Sequence, residues 1–120
     1  MSDLPTYEFS DAGLKQALEA LGGTGAEVAS ALRALGIKGE RHYCGTCPVA
    51  LYLLRVFPGA DGAEVHEEHC LVTRTVVDYV SVEAEAIRVE TPLAVACFAE
   101  DFDNGYYPQL DSEVSHVDAA

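Results

Sequence analysis

Leu14, Ala17, Leu18 and Leu21 recur at i, i+3, i+4 and i+7, which gathers them on one face of a helix. Ser10 or Asp11 caps its start, because a side-chain oxygen there accepts a bond from the free N–H groups of the first turn. Gly22-Gly23 ends it, and Thr24-Gly25-Ala26-Glu27 has the form of a capping box opening a second helix with the stripe Val28, Ala29, Leu32 and Leu35. Gly36 followed by Ile37 predicts a left-handed stop with the apolar residue folded back on the last turn. Residues 38–47 are polar and read as a loop. Pro48 suits the first position of a third helix, with Cys47 near its cap, running from Val49 to about Phe57. That helix is apolar nearly all round, with Arg55 its only charge, so it is expected to be the buried central element.

After the breaks at Pro58-Gly59 and Asp61-Gly62 the pattern changes period. Val72, Thr73, Thr75, Val76, Val77, Tyr79, Val80 and Val82 are β-branched or aromatic and favour strands. Val80 and Val82 alternate with polar residues, as do Ile87 and Val89, and Glu83-Ala84-Glu85-Ala86 is the expected turn between them. A small antiparallel sheet of two or three strands follows; a helix over 71–78 is the alternative. Thr91-Pro92 predicts a last helix with Thr91 as cap, Ala94, Val95, Phe98 and Phe102 on one side, and Asn104-Gly105 as its stop. Tyr106 to Leu110 is expected to pack back on the core. The whole is one α+β domain over residues 1–120: an N-terminal helical pair, a buried central helix, a small antiparallel sheet, and a C-terminal helix beside the central one. Residues 1–9 read as a loose arm that Tyr7 and Phe9 dock, and residues 111–120 as a frayed acidic tail.

Composition sharpens this reading. The chain of 120 residues is 49% hydrophobic and 22% charged, apolar enough to bury a core despite a net charge of −13. Residues 1–40 carry −3, residues 41–80 carry −2 and residues 81–120 carry −8, so the excess sits in the last third. Such a charge disfavours direct binding to nucleic-acid phosphates or to anionic lipid. No apolar run approaches the ~20 residues of a membrane span. Met1 to Ser10 lacks a basic n-region and an apolar h-region, so no secretory signal is expected and the expected location is cytoplasmic.

Four cysteines in such a chain do not suggest a disulfide framework. Three readings of Cys44-Gly-Thr-Cys47 stand open. Zinc takes four N or S donors, and His42, Cys44 and Cys47, joined by Cys70 from His66-Glu-Glu-His69-Cys70, offer them. If 64–71 is one strand, however, His66 and His69 point to opposite faces. A C-x-x-C at a helix start has a lowered thiol pKa and suits redox exchange. Cys44-Gly-Thr-Cys47-Pro48 superficially resembles the thioredoxin active site, but a helix and a polar loop precede it rather than a strand. The third reading is that these are small buried residues and a capping thiol, with Cys97 in the core of the last helix.

No phosphate-cradling, dinucleotide-binding or nucleophile-elbow motif is present, and Asp101-Phe-Asp103-Asn-Gly105 puts its glycine one position early for a calcium loop. No catalytic site emerges. The expected function is a small acidic, non-enzymatic protein-binding module without a cofactor, monomeric or a small homo-oligomer. It would present Glu83, Glu85, Glu90, Glu100, Asp101 and Asp103 to a basic surface of a protein partner, one form being an inhibitor or nucleic-acid mimic. The alternatives are a zinc-stabilised domain and a thiol-redox protein.

Three stretches carry a resemblance: Ala34-Leu-Gly-Ile-Lys-Gly39, Cys44-Gly-Thr-Cys-Pro-Val-Ala-Leu-Tyr-Leu53, and Pro92-Leu-Ala-Val-Ala-Cys-Phe98 leading to Phe102-Asp-Asn-Gly-Tyr-Tyr-Pro-Gln-Leu110. Over about half the chain they resemble short uncharacterised proteins of actinobacteria and their phages. The resemblance implies a shared compact α+β fold and an actinobacterial or mobile-element origin, and it implies no activity.

Overall fold

The computed structural model describes residues 4–112. Helix α1 spans Asp11–Glu19 and α2 spans Gly25–Ala34. The Ser10 side chain accepts the Gly13 N–H and the Thr24 hydroxyl accepts the Glu27 N–H. Glu27 reaches back one residue further than a standard capping box, to the N–H of Gly23. All four apolar positions of the first stripe are buried, as are Val28, Ala29 and Leu32 of the second. Gly36 takes a φ of +71°, and the Ile37 N–H returns to the Leu32 carbonyl while its side chain enters the core.

Helix α3, Pro48–Val56, is the buried central element. Its entry is fixed by Gly39, where a Cβ would lie 2.5 Å from both the Pro48 nitrogen and the Thr46 carbonyl oxygen. Only glycine lets the loop close on the start of the helix.

Strands β1 (Gly62–Val65), β2 (His69–Val77) and β3 (Val82–Glu90) form an antiparallel meander in the order β1-β2-β3. The fold is therefore α+β, and 71–77 is strand, so the helix considered over 71–78 is not formed. One part of the expected sheet is wrong: Glu83 to Ala86 lie within a single strand, and the turn is Asp78 to Ser81, closed by the Asp78 N–H to the Ser81 carbonyl. Register explains the shift. Val72 pairs with Ile87 and Cys70 with Val89, which puts the apolar residues of both strands on the core face.

Helix α4, Leu93–Asp103, buries Ala94, Val95, Phe98 and Phe102. It packs chiefly on α2 rather than beside the central helix, which lies against β1. Thr91 is not its cap. The Thr91 hydroxyl donates to the His66 carbonyl at 2.7 Å, and the helix starts after Pro92 without a side-chain cap. Asn104 and Gly105, with φ +86°, end it. A 3₁₀ turn, Pro108–Leu110, brings Leu110 into the core and Tyr107 against Phe98, while Tyr106 stays exposed.

Both chain ends are held within the described residues. The Tyr7 N–H bonds the Val56 carbonyl, and Tyr7 and Phe9 pack on Phe57. Asp111, expected in a frayed tail, is buried, pairs with Arg41 at 3.1 Å, and bridges to Gly39. The rest of the expected tail, residues 113–120, lies outside the described residues, as do residues 1–3 of the expected arm. No helix among the described residues is long and apolar enough to cross a membrane.

Candidate functional site

Two regions carry the chemistry singled out in the sequence. The first is a cleft of about 220 Å³ where loop 38–47, the β1–β2 turn and the last turns of α4 meet. His42, Cys44, Cys47, His66, Glu67 and Asp103 all line it. His42 sits there in the left-handed region, φ +68°, held by its N–H to the Asp103 carboxylate at 2.9 Å. Cys44 sits at the free edge of β1, where its carbonyl accepts the Val65 N–H.

The donors that the fold brings together differ from the set expected for zinc. The Cys44, Glu64 and His66 ligand atoms lie within 4.8 Å of one another, and this is the one such group among the described residues. His42, Cys47 and Cys70 are not part of it. Cys47 stands at the N-cap of α3 without a side-chain capping bond, its thiol donating instead to the Cys44 carbonyl at 3.9 Å, and Cys70 lies in β2 with its sulfur 3.4 Å from the Thr91 hydroxyl. Both thiols are buried.

Burial also reverses the expected thiol chemistry. It pushes the Cys47 thiol up to about 11, even though the Ala50 and Val49 N–H groups at the helix start pull the other way. Desolvation raises Cys70 as well, against a bond with Thr91. The helix start therefore does not make Cys47 a ready thiolate. Cys97, expected in the core, is exposed on α4, because the buried stripe runs through residues 94, 95, 98 and 102 and leaves 97 to the side.

His66 and His69 do not point apart. The strand breaks between them: the His66 N–H bonds the His69 carbonyl around the Glu67-Glu68 turn, and the two rings lie side by side with centroids 4.6 Å apart and planes tilted by 32°. Glu64, which the sequence reading passed over, meets His66 at 2.7 Å. Its signal was present in the spacing, because residues two apart on a strand share a face.

The second region is the β2–β3 hairpin. Every residue from Thr75 to Ala86 is exposed. Val77 and Val82 close the hairpin five residues beyond the last buried pair, Val72 and Ile87, so the arm projects about 17 Å past it. Val77 and Val82 are 73% and 70% exposed, and Tyr79 and Val80 at the turn are 104% and 91% exposed. Arg74 anchors the base of the arm between the Phe9 ring, at 4.1 Å, and Glu85, at 2.7 Å.

The six carboxylates expected on one face fall in three places. Glu83 and Glu85 share one face of the arm, pairing with Val76 and Arg74. Glu90 lies at the far end of β3 opposite His69, seven residues and about 23 Å from Glu83, and on the other face. Glu100 and Asp103 border the groove between α4 and the β1–β2 turn, and Asp101 is half-buried. They do not form one continuous array.

In comparisons with known proteins, no family model, no curated protein and no solved structure matches the chain.

Proposed function

We propose that this protein is a non-enzymatic protein-binding module that engages its partner with the β2–β3 arm. The observation that carries the reading is the exposure of Tyr79 and Val80 at the turn, with Val77 and Val82 behind them. Contiguous exposed apolar side chains rimmed by charge are a mark of interaction surfaces. Asp78 adjoins this tip, and Glu83 and Glu85 line the arm. With a net charge of −13 the fitting partner is a protein whose apolar cleft is rimmed by Lys and Arg. A second copy of this chain would bring like charges together. An inhibitor that occupies a basic surface is one form of such a module. It would work through the arm, since the six carboxylates are too dispersed to imitate a run of phosphates.

The test is affinity capture from host lysate at about 0.05 M and 0.5 M salt, comparing the native chain with Tyr79→Ala/Val80→Ser and with Glu83→Gln/Glu85→Gln. The reading expects one basic protein that the first variant loses and that the second variant and high salt both weaken. Undiminished capture of the same protein by the Tyr79→Ala/Val80→Ser chain overturns it.

A further inference from the structure

We infer that Cys44, Glu64 and His66 form a binding site for a divalent transition-metal ion of the zinc class. Thiolate, carboxylate and imidazole are the three side-chain donors that zinc takes, and all three lie within 4.8 Å of one another. Zinc–ligand bonds of ~2.0–2.3 Å at tetrahedral angles separate donors by about 3.3–3.6 Å. The 2.7 Å contact between His66 Nε2 and Glu64 Oε1 therefore opens by roughly half an ångström to admit the ion, and the Cys44 sulfur closes in. Glu64 is exposed and His66 and Cys44 are half-buried, so these are adjustments of side chains.

The backbone under the three donors is already tied down. The Cys44 carbonyl accepts the Val65 N–H, joining the loop to the strand between the other two donors. His66 is held at both backbone groups, its N–H by the His69 carbonyl and its carbonyl by the Thr91 hydroxyl. The His69 ring lies beside the His66 ring, centroids 4.6 Å apart and planes tilted by 32°. Donors fixed in this way need little ordering on binding. Three protein ligands leave a fourth position for water, and two of them, Cys44 and His66, line the cleft that also holds His42 and Asp103. Coordination displaces the Cys44 thiol proton to solvent and joins loop 38–47 to the sheet.

The experiment is titration of the full chain with Co(II) and then Zn(II), read by the thiolate-to-cobalt charge-transfer absorption and by equilibrium dialysis. One equivalent should bind, with a charge-transfer band. Cys44→Ser should abolish the band, and Glu64→Gln and His66→Gln should each weaken affinity at least about 100-fold, more than loss of an outer partner costs. Cys47→Ala and Cys70→Ala, checked for folding by circular dichroism, should keep the band. Binding below one equivalent, a band that survives Cys44→Ser, or a band lost in a folded Cys47→Ala chain overturns the site. These readouts use no partner, so they are independent of the arm.

Discussion

The buried Tyr52 hydroxyl donates to the Ala17 carbonyl at 2.8 Å, joining the central helix to the last turn of α1. The Leu21 N–H turns to Leu18 instead of continuing the helical ladder, so the phenol takes the place of a missing helical donor. Burial, with Tyr7 beside it, holds the phenol far above its usual range and keeps it a donor. Tyr52→Phe is expected to cost about 1–3 kcal/mol, the penalty for leaving a buried carbonyl unpaired. Urea unfolding with an unchanged slope and a lowered midpoint is the expected result. A midpoint equal to the native one would mean that water satisfies Ala17.

The arm should behave in the opposite way. Tyr79 and Val80 contribute little to the core, so Tyr79→Ala/Val80→Ser is expected to change stability by no more than about 0.5 kcal/mol per site. Thermal melts of the two chains should nearly superimpose. A large loss would show that the tip packs on the body, and would remove the reason for treating it as a contact surface.

How much of this was legible in the sequence depends on the range of the interaction. The stripes of α1 and α2, Pro48 at the start of α3 and the stop at Gly36-Ile37 rest on residues three to five apart, and all were read correctly. The hairpin turn was not. Glu83-Ala84-Glu85-Ala86 is poor in strand formers, whereas the true turn, Asp78-Tyr79-Val80-Ser81, holds two good ones, so local preference pointed the wrong way. Pairing of Val72 with Ile87 decided it, a contact fifteen residues apart. The same error range hid the donor cluster: whether His66 and His69 meet depends on where the strand breaks, and Cys44 reaches Glu64 only through the fold.

The buried thiols give stability an alkaline limit. With Cys47 raised from 9.0 to about 11, the folded state keeps a proton that the unfolded chain releases above pH 9. Its contribution is complete below pH 9 and is lost as pH rises through 11, a span worth at most about 2–3 kcal/mol. Cys70 acts in the same direction. Other groups also titrate in this window, so the informative comparison is with Cys47→Ala. The loss in unfolding free energy between pH 8 and pH 11 should be smaller in the variant, and equal losses would show that Cys47 is not protonated through burial.

Gly39→Ala tests how the loop that carries Cys44 is held. Two backbone atoms, the Pro48 nitrogen and the Thr46 carbonyl oxygen, lie 2.5 Å from the position of the added methyl, and backbone cannot swing aside as a side chain can. The same glycine donates its N–H to the Leu110 carbonyl and accepts the Ser112 N–H, so a shift here also disturbs the C-terminal segment that buries Asp111. A loss of about 1–3 kcal/mol is expected, the usual cost of forcing extra volume into a closed site. Hydrogen exchange should localise it: faster exchange at Glu40, whose N–H bonds Thr46, and at Ser112, with the α1 amides protected as before. Uniformly faster exchange would instead mean that the glycine supports the whole fold rather than the seam between the loop and the chain end.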